Sequence, residues 1–248
     1  MELLTLSCFI LIGTLIQRVA GFGMPMIVIP SLLIYFQPTV AVSIALFLGI
    51  ISSIIVLISL KNIEKIIWKI IFAILPISLL GIITGSYILT IIDKAILQII
   101  LGTVIIITLN IQEFFSAKNR QALAIDKPLY TSGAIAGFFN STVGLSAAPM
   151  IIWMRTHAIT SNQIRKVFAL QFICMNIVSI ISIFYFEPAT FTGLNFGLLA
   201  LALPIILIAN YIGGIISDRI NHNTYERVVY IALSVAGLAC LIYGVMSL

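Results

Sequence analysis

The chain has 248 residues, of which 61% are hydrophobic and only 8% are charged, and its mean hydropathy is +1.22. Soluble domains carry roughly 25% charged residues. This composition therefore excludes a soluble enzyme, a nucleic-acid-binding protein and a disordered chain. The net charge of +5 is typical of basic cytoplasmic loops in a membrane protein. We expect an all-α polytopic protein of the plasma (inner) membrane.

Six segments have the length of a membrane-spanning helix, for which about 20 apolar residues are needed. They are residues 39–60, 68–91, 95–111, 164–186, 194–217 and 228–246.

Two further regions are apolar but interrupted. Residues 3–16 and 24–36 flank a polar, glycine-containing segment at 17–23, and residues 129–139 and 147–154 flank a second one at 140–146. Irregular backbone at membrane depth is tolerated only inside protein or beside a water-filled cavity. Each region is therefore either a kinked spanning helix or a hairpin of two short helices whose tip lies near the midplane.

The distribution of basic residues favours the hairpins. The basic residues form four groups: Lys61, Lys65 and Lys69; Lys118, Arg120 and Lys127; Arg155, Arg165 and Lys166; Arg219 and Arg227. If the second region is a hairpin, all four groups lie on one side of the membrane, as the positive-inside rule requires. A single crossing there would place the third group outside. The hairpins leave only Lys94 outside and Arg18 in the first tip.

This topology has a consequence for the whole chain. Each half is a hairpin followed by three spans, an odd number of crossings, so the two halves have opposite orientations. We predict inverted repeats at residues 1–117 and 128–248, a cytoplasmic linker at 118–127, and both termini outside the cell. Inverted repeats are common in secondary transporters, whose substrate site lies at the repeat interface near the midplane.

The two halves also resemble each other in sequence. Residues 20–30 parallel residues 143–152, and Pro76, Gly81 and Gly85 parallel Pro204, Ala209 and Gly213 at a constant offset of 128. The order of these motifs resembles the TauE/SafE-like family of sulfite exporters, also grouped as toluene-sulfonate-uptake-type permeases (TSUP). The resemblance covers nearly the whole chain.

The resemblance implies a transporter of small anions, often containing sulfur, such as sulfite, sulfonates or sulfoacetate. Members of the family carry a glycine triplet early in each half. Here the triplet is reduced to Gly23-Met24-Pro25 in the first half and Ser146-Ala147-Ala148 in the second. The identity of the substrate therefore stays open.

Arg18 is the first candidate for binding an anion. A guanidinium at the bilayer centre costs at least about 2.5–3.5 kcal/mol on insertion scales. Its planar fork of donors suits carboxylate, sulfonate or sulfite oxygens. The alternative is that Arg18 extends to the interface or bonds a backbone carbonyl, but no carboxylate in the adjacent apolar sequence is available to neutralise it.

The other candidates lie at the two predicted tips, where a helix N-terminus offers free N–H groups to an anion and glycine permits close approach. The candidate substrate-binding residues are Gln17, Arg18, Gly21, Gly23, Asn140, Ser141, Thr142, Gly144, Ser146 and Gln171. Asn176 lies about 140° from Gln171 around the same helix, so we expect only Gln171 to face the pocket, and Asn210 is a weaker candidate. Ordinary helix packing and interhelical hydrogen bonds are the alternative explanation.

The expected function is anion export, with a passive anion channel and an integral-membrane enzyme as alternatives. Every Asp, Glu and His falls in a loop or near a span end, so acid–base catalysis within the membrane is not expected. No spacing of His, Cys and carboxylate residues suits a metal ion, and no cofactor is expected. The expected partners are a small anion and the lipid bilayer, without nucleic acid, and homodimerisation is left open.

Overall fold

The computed structural model describes residues 2–60, 62–114, 125–157, 159–219 and 222–247. These residues form eleven helices: α1 (Glu2–Ala20), α2 (Met24–Tyr35), α3 (Pro38–Leu60), α4 (Lys65–Ile91), α5 (Lys94–Phe114), α6 (Lys127–Val143), α7 (Ala147–Thr156), α8 (Ser161–Phe186), α9 (Ala189–Thr192), α10 (Phe196–Arg219) and α11 (His222–Met246). Within these ranges, five helices are long and apolar enough to cross a membrane: α1, α3, α4, α8 and α10. The prediction of an all-α polytopic membrane protein is confirmed.

The six predicted spans coincide with α3, α4, α5, α8, α10 and α11. The four-residue helix α9 was not predicted. It follows the end of α8, where Glu187 precedes Pro188 and leaves the helical conformation. Proline disfavours the helical conformation in the residue that precedes it, so α8 ends here and the chain turns before α10 begins.

Both predicted interruptions are present within residues 17–23 and 140–146, although the helix before each one ends four residues later than expected. The first break is at Gly21 and Gly23, whose φ angles are 88° and 113°, and the second is at Gly144, with φ of 70°. These left-handed conformations favour glycine. The first apolar segment, expected to end at residue 16, continues to Ala20, so α1 has 19 residues, a length of about 28 Å, and is long enough to cross a membrane.

The second interrupted region is a hairpin. Asp126, just before α6, accepts hydrogen bonds from Leu129 N (3.1 Å) and from Trp153 Nε1 of α7 (2.7 Å). Its other carboxylate oxygen lies 3.5 Å from Nε2 of His157, at the end of α7. The start of α6 and the end of α7 therefore meet at one point. This contact excludes a single kinked spanning helix for this region.

Several helix ends share one side of the molecule, which we call the basic side. Lys166 Nζ in α8 donates to Asn62 O (2.8 Å) and to Glu64 Oε1 (3.0 Å) in the loop between α3 and α4. Gly133 of α6 packs on Ile74 of α4, and four residues later in both helices Gly137 packs on Ser78. The helices α4 and α6 therefore run parallel.

The basic side thus carries the lysines near the starts of α4, α6 and α8, which are Lys65, Lys69, Lys127 and Lys166. Lys94 begins α5 and lies on the opposite side, where α4 ends. Lys61, Lys118, Arg120 and most of the predicted linker lie outside the described residues, as do the side chains of Arg155, Arg219 and Arg227.

The helix pairings of the two halves correspond. The helix α1 packs on α10 as α6 packs on α4, and α3 and α5 pack on their counterparts α8 and α11. Gly213 faces Arg18 of α1, and the corresponding Gly85 faces Ser141 of α6. These correspondences agree with an internal repeat. The inverted orientation of the halves and the repeat boundaries remain predictions.

Candidate functional site

Arg18 lies in the last turn of α1, partly exposed, between α3 and α10. Its Nη1 donates to Ser59 Oγ, one residue before the end of α3. A Cβ at Gly213 would lie 2.8 Å from Arg18 Cγ and 2.9 Å from Arg18 Cβ, closer than real Cβ atoms approach. A Cβ at the neighbouring Gly214 would lie 3.3 Å from Nη2. Two glycines of α10 therefore leave the space that the Arg18 side chain occupies.

The first tip packs against the start of α8. A Cβ at Gly21 would lie 3.3 Å from Arg165 Cα and 3.4 Å from both Arg165 Cγ and Phe168 Cδ2. The rings of Phe22 and Phe168 are 5.7 Å apart. Arg165 is partly exposed, so two arginines flank the first tip from different helices. Sequence reasoning counted Arg165 only among the cytoplasmic charges.

Gln17 is 2% exposed and connects α1 to the middle of the bundle. Its Nε2 donates to Ser53 Oγ of α3 at 3.2 Å. Its Oε1 has no hydrogen-bond partner among the described residues. Gly23 is buried against Ile16, whose Cγ2 would lie 2.8 Å from a Cβ there. Its conformation and its packing both require glycine.

The second tip contains a buried amide network. Asn140 is fully buried, and its Nδ2 donates to Asn176 Oδ1 (3.1 Å) and Ser179 Oγ (3.0 Å) of α8. Asn176 Nδ2 in turn donates to Leu46 O of α3 at 3.1 Å. This network joins α6, α8 and α3.

Ser141 and Thr142 have different surroundings from Asn140. Ser141 Oγ lies 3.3 Å from the carbonyl oxygens of Gly137 and Phe138, within its own helix. Thr142 Oγ1 lies 2.7 Å from Phe138 O and 3.3 Å from Gly85 O of α4. Both hydroxyls therefore bond backbone carbonyls, and the Thr142 hydroxyl also joins α6 to α4.

Ser146 and Gln171 meet where α7 begins. Gln171 Nε2 donates to Ser146 O at 3.3 Å, and both residues are fully buried. Ser146 Oγ and Gln171 Oε1 have no partner among the described residues. Gly144 faces α2, since a Cβ there would lie 2.5 Å from Ile29 Cδ1 and 3.2 Å from Pro25 Cβ. The second tip thus rests on the helix that leaves the first tip.

Both Gln171 and Asn176 of α8 contact the second hairpin, and the expectation that only Gln171 faces a substrate pocket stays a prediction. Gln171 contacts the start of α7, and Asn176 contacts the end of α6. The hairpin covers a wider arc of α8 than one helix does, so residues about 140° apart both reach it. Asn210 bonds Ser52 Oγ (3.3 Å) and Ile206 O (2.9 Å), and joins α10 to α3.

The sequence matches the family model described as Sulfite exporter TauE/SafE over residues 5–240. The chain belongs to this family. The resemblance found in the glycine and proline pattern is thereby confirmed, and the protein is a membrane transporter of the sulfite or anion exporter type. No curated protein and no solved structure matches the chain.

In this TauE/SafE protein, the two tips adjoin along α8. Along α8, the first tip contacts Arg165 and Phe168, and the second contacts Gln171, Asn176 and Ser179. Phe168 and Gln171 are three residues apart, about 4.5 Å along the axis, so the tips adjoin there and extend in opposite directions. The two tips therefore meet at this level of α8, and their position at the membrane midplane remains a prediction.

The structure places four of the ten candidate residues of this TauE/SafE transporter in two polar clusters. We call Arg18 with Ser59, Gly213 and Gly214 the arginine cluster, and Asn140, Ser146, Gln171 and Asn176 the amide cluster. Within the described ranges, no group of three His, Cys, Asp or Glu side chains could hold a metal ion. The polar groups offered to a ligand are thus guanidinium, amide and hydroxyl groups.

Proposed function

We propose that this protein exports a small sulfur-containing or organic anion, such as sulfite, a sulfonate or sulfoacetate, and that Arg18 binds the anion first. The proposal rests on the packing around Arg18. Gly213 and Gly214 of α10 leave room for its side chain, and its guanidinium contacts the neutral hydroxyl of Ser59. A planar guanidinium presents paired donors to an oxyanion. The Ser59 contact is one that anion oxygens can replace.

The position of Arg18 suits capture from the basic side. Arg18 and Arg165 are partly exposed, and the exposed Lys65 and Lys69 begin the neighbouring α4. A surface with an excess of positive charge raises the local concentration of anions. We place the basic side in the cytoplasm by the positive-inside rule, in the plasma membrane, with both termini outside.

The amide cluster is proposed as the second position on the path of the anion. Ser146 Oγ and Gln171 Oε1 are buried without partners among the described residues, and buried polar groups normally find one. Ser146 Oγ can donate to an anion at the start of α7, and so can the Gln171 N–H that now faces Met175 Sδ, a weak acceptor, at 3.6 Å. The anion would pass between the clusters at the level of Phe168, where the tips adjoin.

A carrier explains the complete burial of the amide cluster better than a passive channel does. Asn140, Ser146 and Gln171 are 0% exposed, as expected of a site closed to both sides. A conducting channel instead offers a continuous path to its ion. An enzyme is disfavoured because the family is one of transporters.

The membrane potential can supply the energy for export. A monovalent anion that leaves a cell with a negative interior gains about 2.3 kcal/mol per 100 mV, which sustains a gradient of roughly 50-fold. Export therefore needs no coupling ion.

The proposal is tested by the flux of radiolabelled sulfite from proteoliposomes. Arg18→Ala is expected to abolish flux while the protein stays folded and inserted, and Arg18→Lys is expected to impair it, because an ammonium lacks the planar fork. Lys94→Ala is the matched control, since it removes a positive charge on the opposite side. Normal flux in inserted Arg18→Ala protein would refute the proposal. Saturation and counter-transport are expected of a carrier, and their absence would favour a channel.

A further inference from the structure

A groove on the outer face of α4 and α6 lies apart from both clusters. It has a volume of about 480 Å³, and it is lined by Phe72, Ala73, Pro76, Ile77, Leu80 and Tyr130. This volume is in the range of small-molecule sites, about 300–1,000 Å³. Phe72 is 66% exposed and Leu80 is 69% exposed, so the groove opens toward the lipid.

The groove has a charged end and an apolar end. Lys65 and Lys69 lie on the first turns of α4, and Lys127 begins α6 three residues before Tyr130; all three lysines are exposed. Because α4 and α6 run parallel, these lysines lie together at the basic side. Leu80 marks the other end, about 16 Å from Lys69 along the helix.

Aromatic side chains occupy the boundary between the two ends. The rings of Trp68 and Phe72 stack with their centroids 5.8 Å apart, and Tyr130 is 38% exposed beside them. Trp and Tyr are enriched where the bilayer meets water. The lysines are thus at the depth of lipid headgroups, and the groove from Phe72 to Leu80 is at the depth of acyl chains.

We propose that this groove binds one phospholipid with an anionic headgroup, the phosphate lying at Lys65, Lys69 and Lys127 and an acyl chain lying along the groove. Basic residues between transmembrane helices on the cytoplasmic side are suited to anionic headgroups. A second copy of the chain fits this face less well, because a two-fold contact brings the same patch of each subunit together. The lysines of the two copies would then repel each other, whereas a lipid phosphate neutralises them.

The test is native mass spectrometry of the full-length protein in detergent, with equimolar phosphatidylglycerol and phosphatidylcholine that carry the same acyl chains. We expect one phosphatidylglycerol to be retained in preference to phosphatidylcholine. Lys69→Gln is expected to reduce its retention about fivefold, the effect of one lysine near a charged lipid surface. Ala73→Phe is expected to reduce retention of the same lipid by filling the groove.

Two matched variants control for charge and bulk. Lys94→Gln removes one charge on the opposite side, and Ala200→Phe adds the same ring at an exposed position of α10; both are expected to retain the lipid as the wild type does. Equal retention of the two lipids would overturn the proposal, as would unchanged retention in folded Lys69→Gln protein. A dimer that Ala73→Phe converts to a monomer would also overturn it, in favour of a second copy.

Discussion

Replacing Gly213 by alanine tests whether the position of Arg18 matters for transport. The new methyl group would lie 2.8 Å from Arg18 Cγ, and ordinary contact begins at 3.4 Å, so the Arg18 stem or α10 must move by at least 0.6 Å. Alanine stabilises a helix interior by up to about 1 kcal/mol over glycine, and overpacking costs about 1–3 kcal/mol. The first effect offsets part of the second, so we expect a small net cost in stability and a protein that stays folded.

The expected effect of Gly213→Ala is therefore on the anion rather than on the fold. A misplacement of 1 Å can reduce rates by about 100-fold, so we expect the rate of sulfite flux from proteoliposomes at low sulfite concentration to fall on the order of tenfold. Gly214→Ala is expected to have a smaller effect, because its methyl group would meet the flexible end of Arg18, Nη2, at 3.3 Å. Gly197→Ala in the same helix faces only Asn195 Oδ1 at 3.3 Å and serves as the control. Equal flux in Gly213→Ala and Gly197→Ala proteins would refute the role given to Arg18.

Three further predictions concern the hairpin, the loops and the energy supply. Asp126→Ala removes the cap of α6 and the acceptor for Trp153, so we expect the unfolding free energy to fall by about 2–4 kcal/mol. The unfolding free energy is measured in detergent, with Asp93→Ala as the comparison. An equal loss in both variants would contradict the closure of the hairpin at Asp126. A backbone hydrogen bond and the Lys166 contact lower the pKa of Glu64 below its usual value of 4.5. The contribution of ionised Glu64 to folding stability is therefore present above pH 4.5 and is lost as the pH falls through the lowered pKa. Below that pKa, the stability difference between wild type and Glu64→Gln should vanish. A stability difference that does not depend on pH would refute this linkage. With the potential clamped and the proton and sodium gradients set separately, sulfite flux should follow the potential, and accumulation driven by either ion at zero potential would exclude uncoupled export.

Span positions could be predicted from the sequence because apolar length alone specifies a membrane helix. The hairpin of α6 and α7 was also predictable, since Arg165 and Lys166 must share a side with Lys127 under the positive-inside rule. The extents of α1 and α6 were not predictable. Polar residues such as Gln17 and Asn140 suggested loop, whereas in the structure their partners on α3 and α8 allow the helices to continue.

The partners of the candidate residues could not be predicted either, because they come from helices that are distant in the sequence. In the sequence Gly213 is noted only as the counterpart of Gly85, and only the packing of α10 on α1 shows that Gly213 and Gly214 accommodate Arg18. Ser59 and Arg165 come from other helices, and no local pattern connects them to residue 18. Asn176 was set aside by helical-wheel geometry, which treats its neighbour as one straight helix and not as a hairpin.

The most direct measurement is the position of a bound anion in the protein. Anomalous diffraction from crystals grown with a small bromine-substituted sulfonate would locate it without reference to transport. We predict a peak beside the Arg18 guanidinium, within reach of Ser59, that disappears in Arg18→Gln crystals and persists in Lys94→Gln crystals. A peak elsewhere that is unaffected by Arg18→Gln would contradict the account.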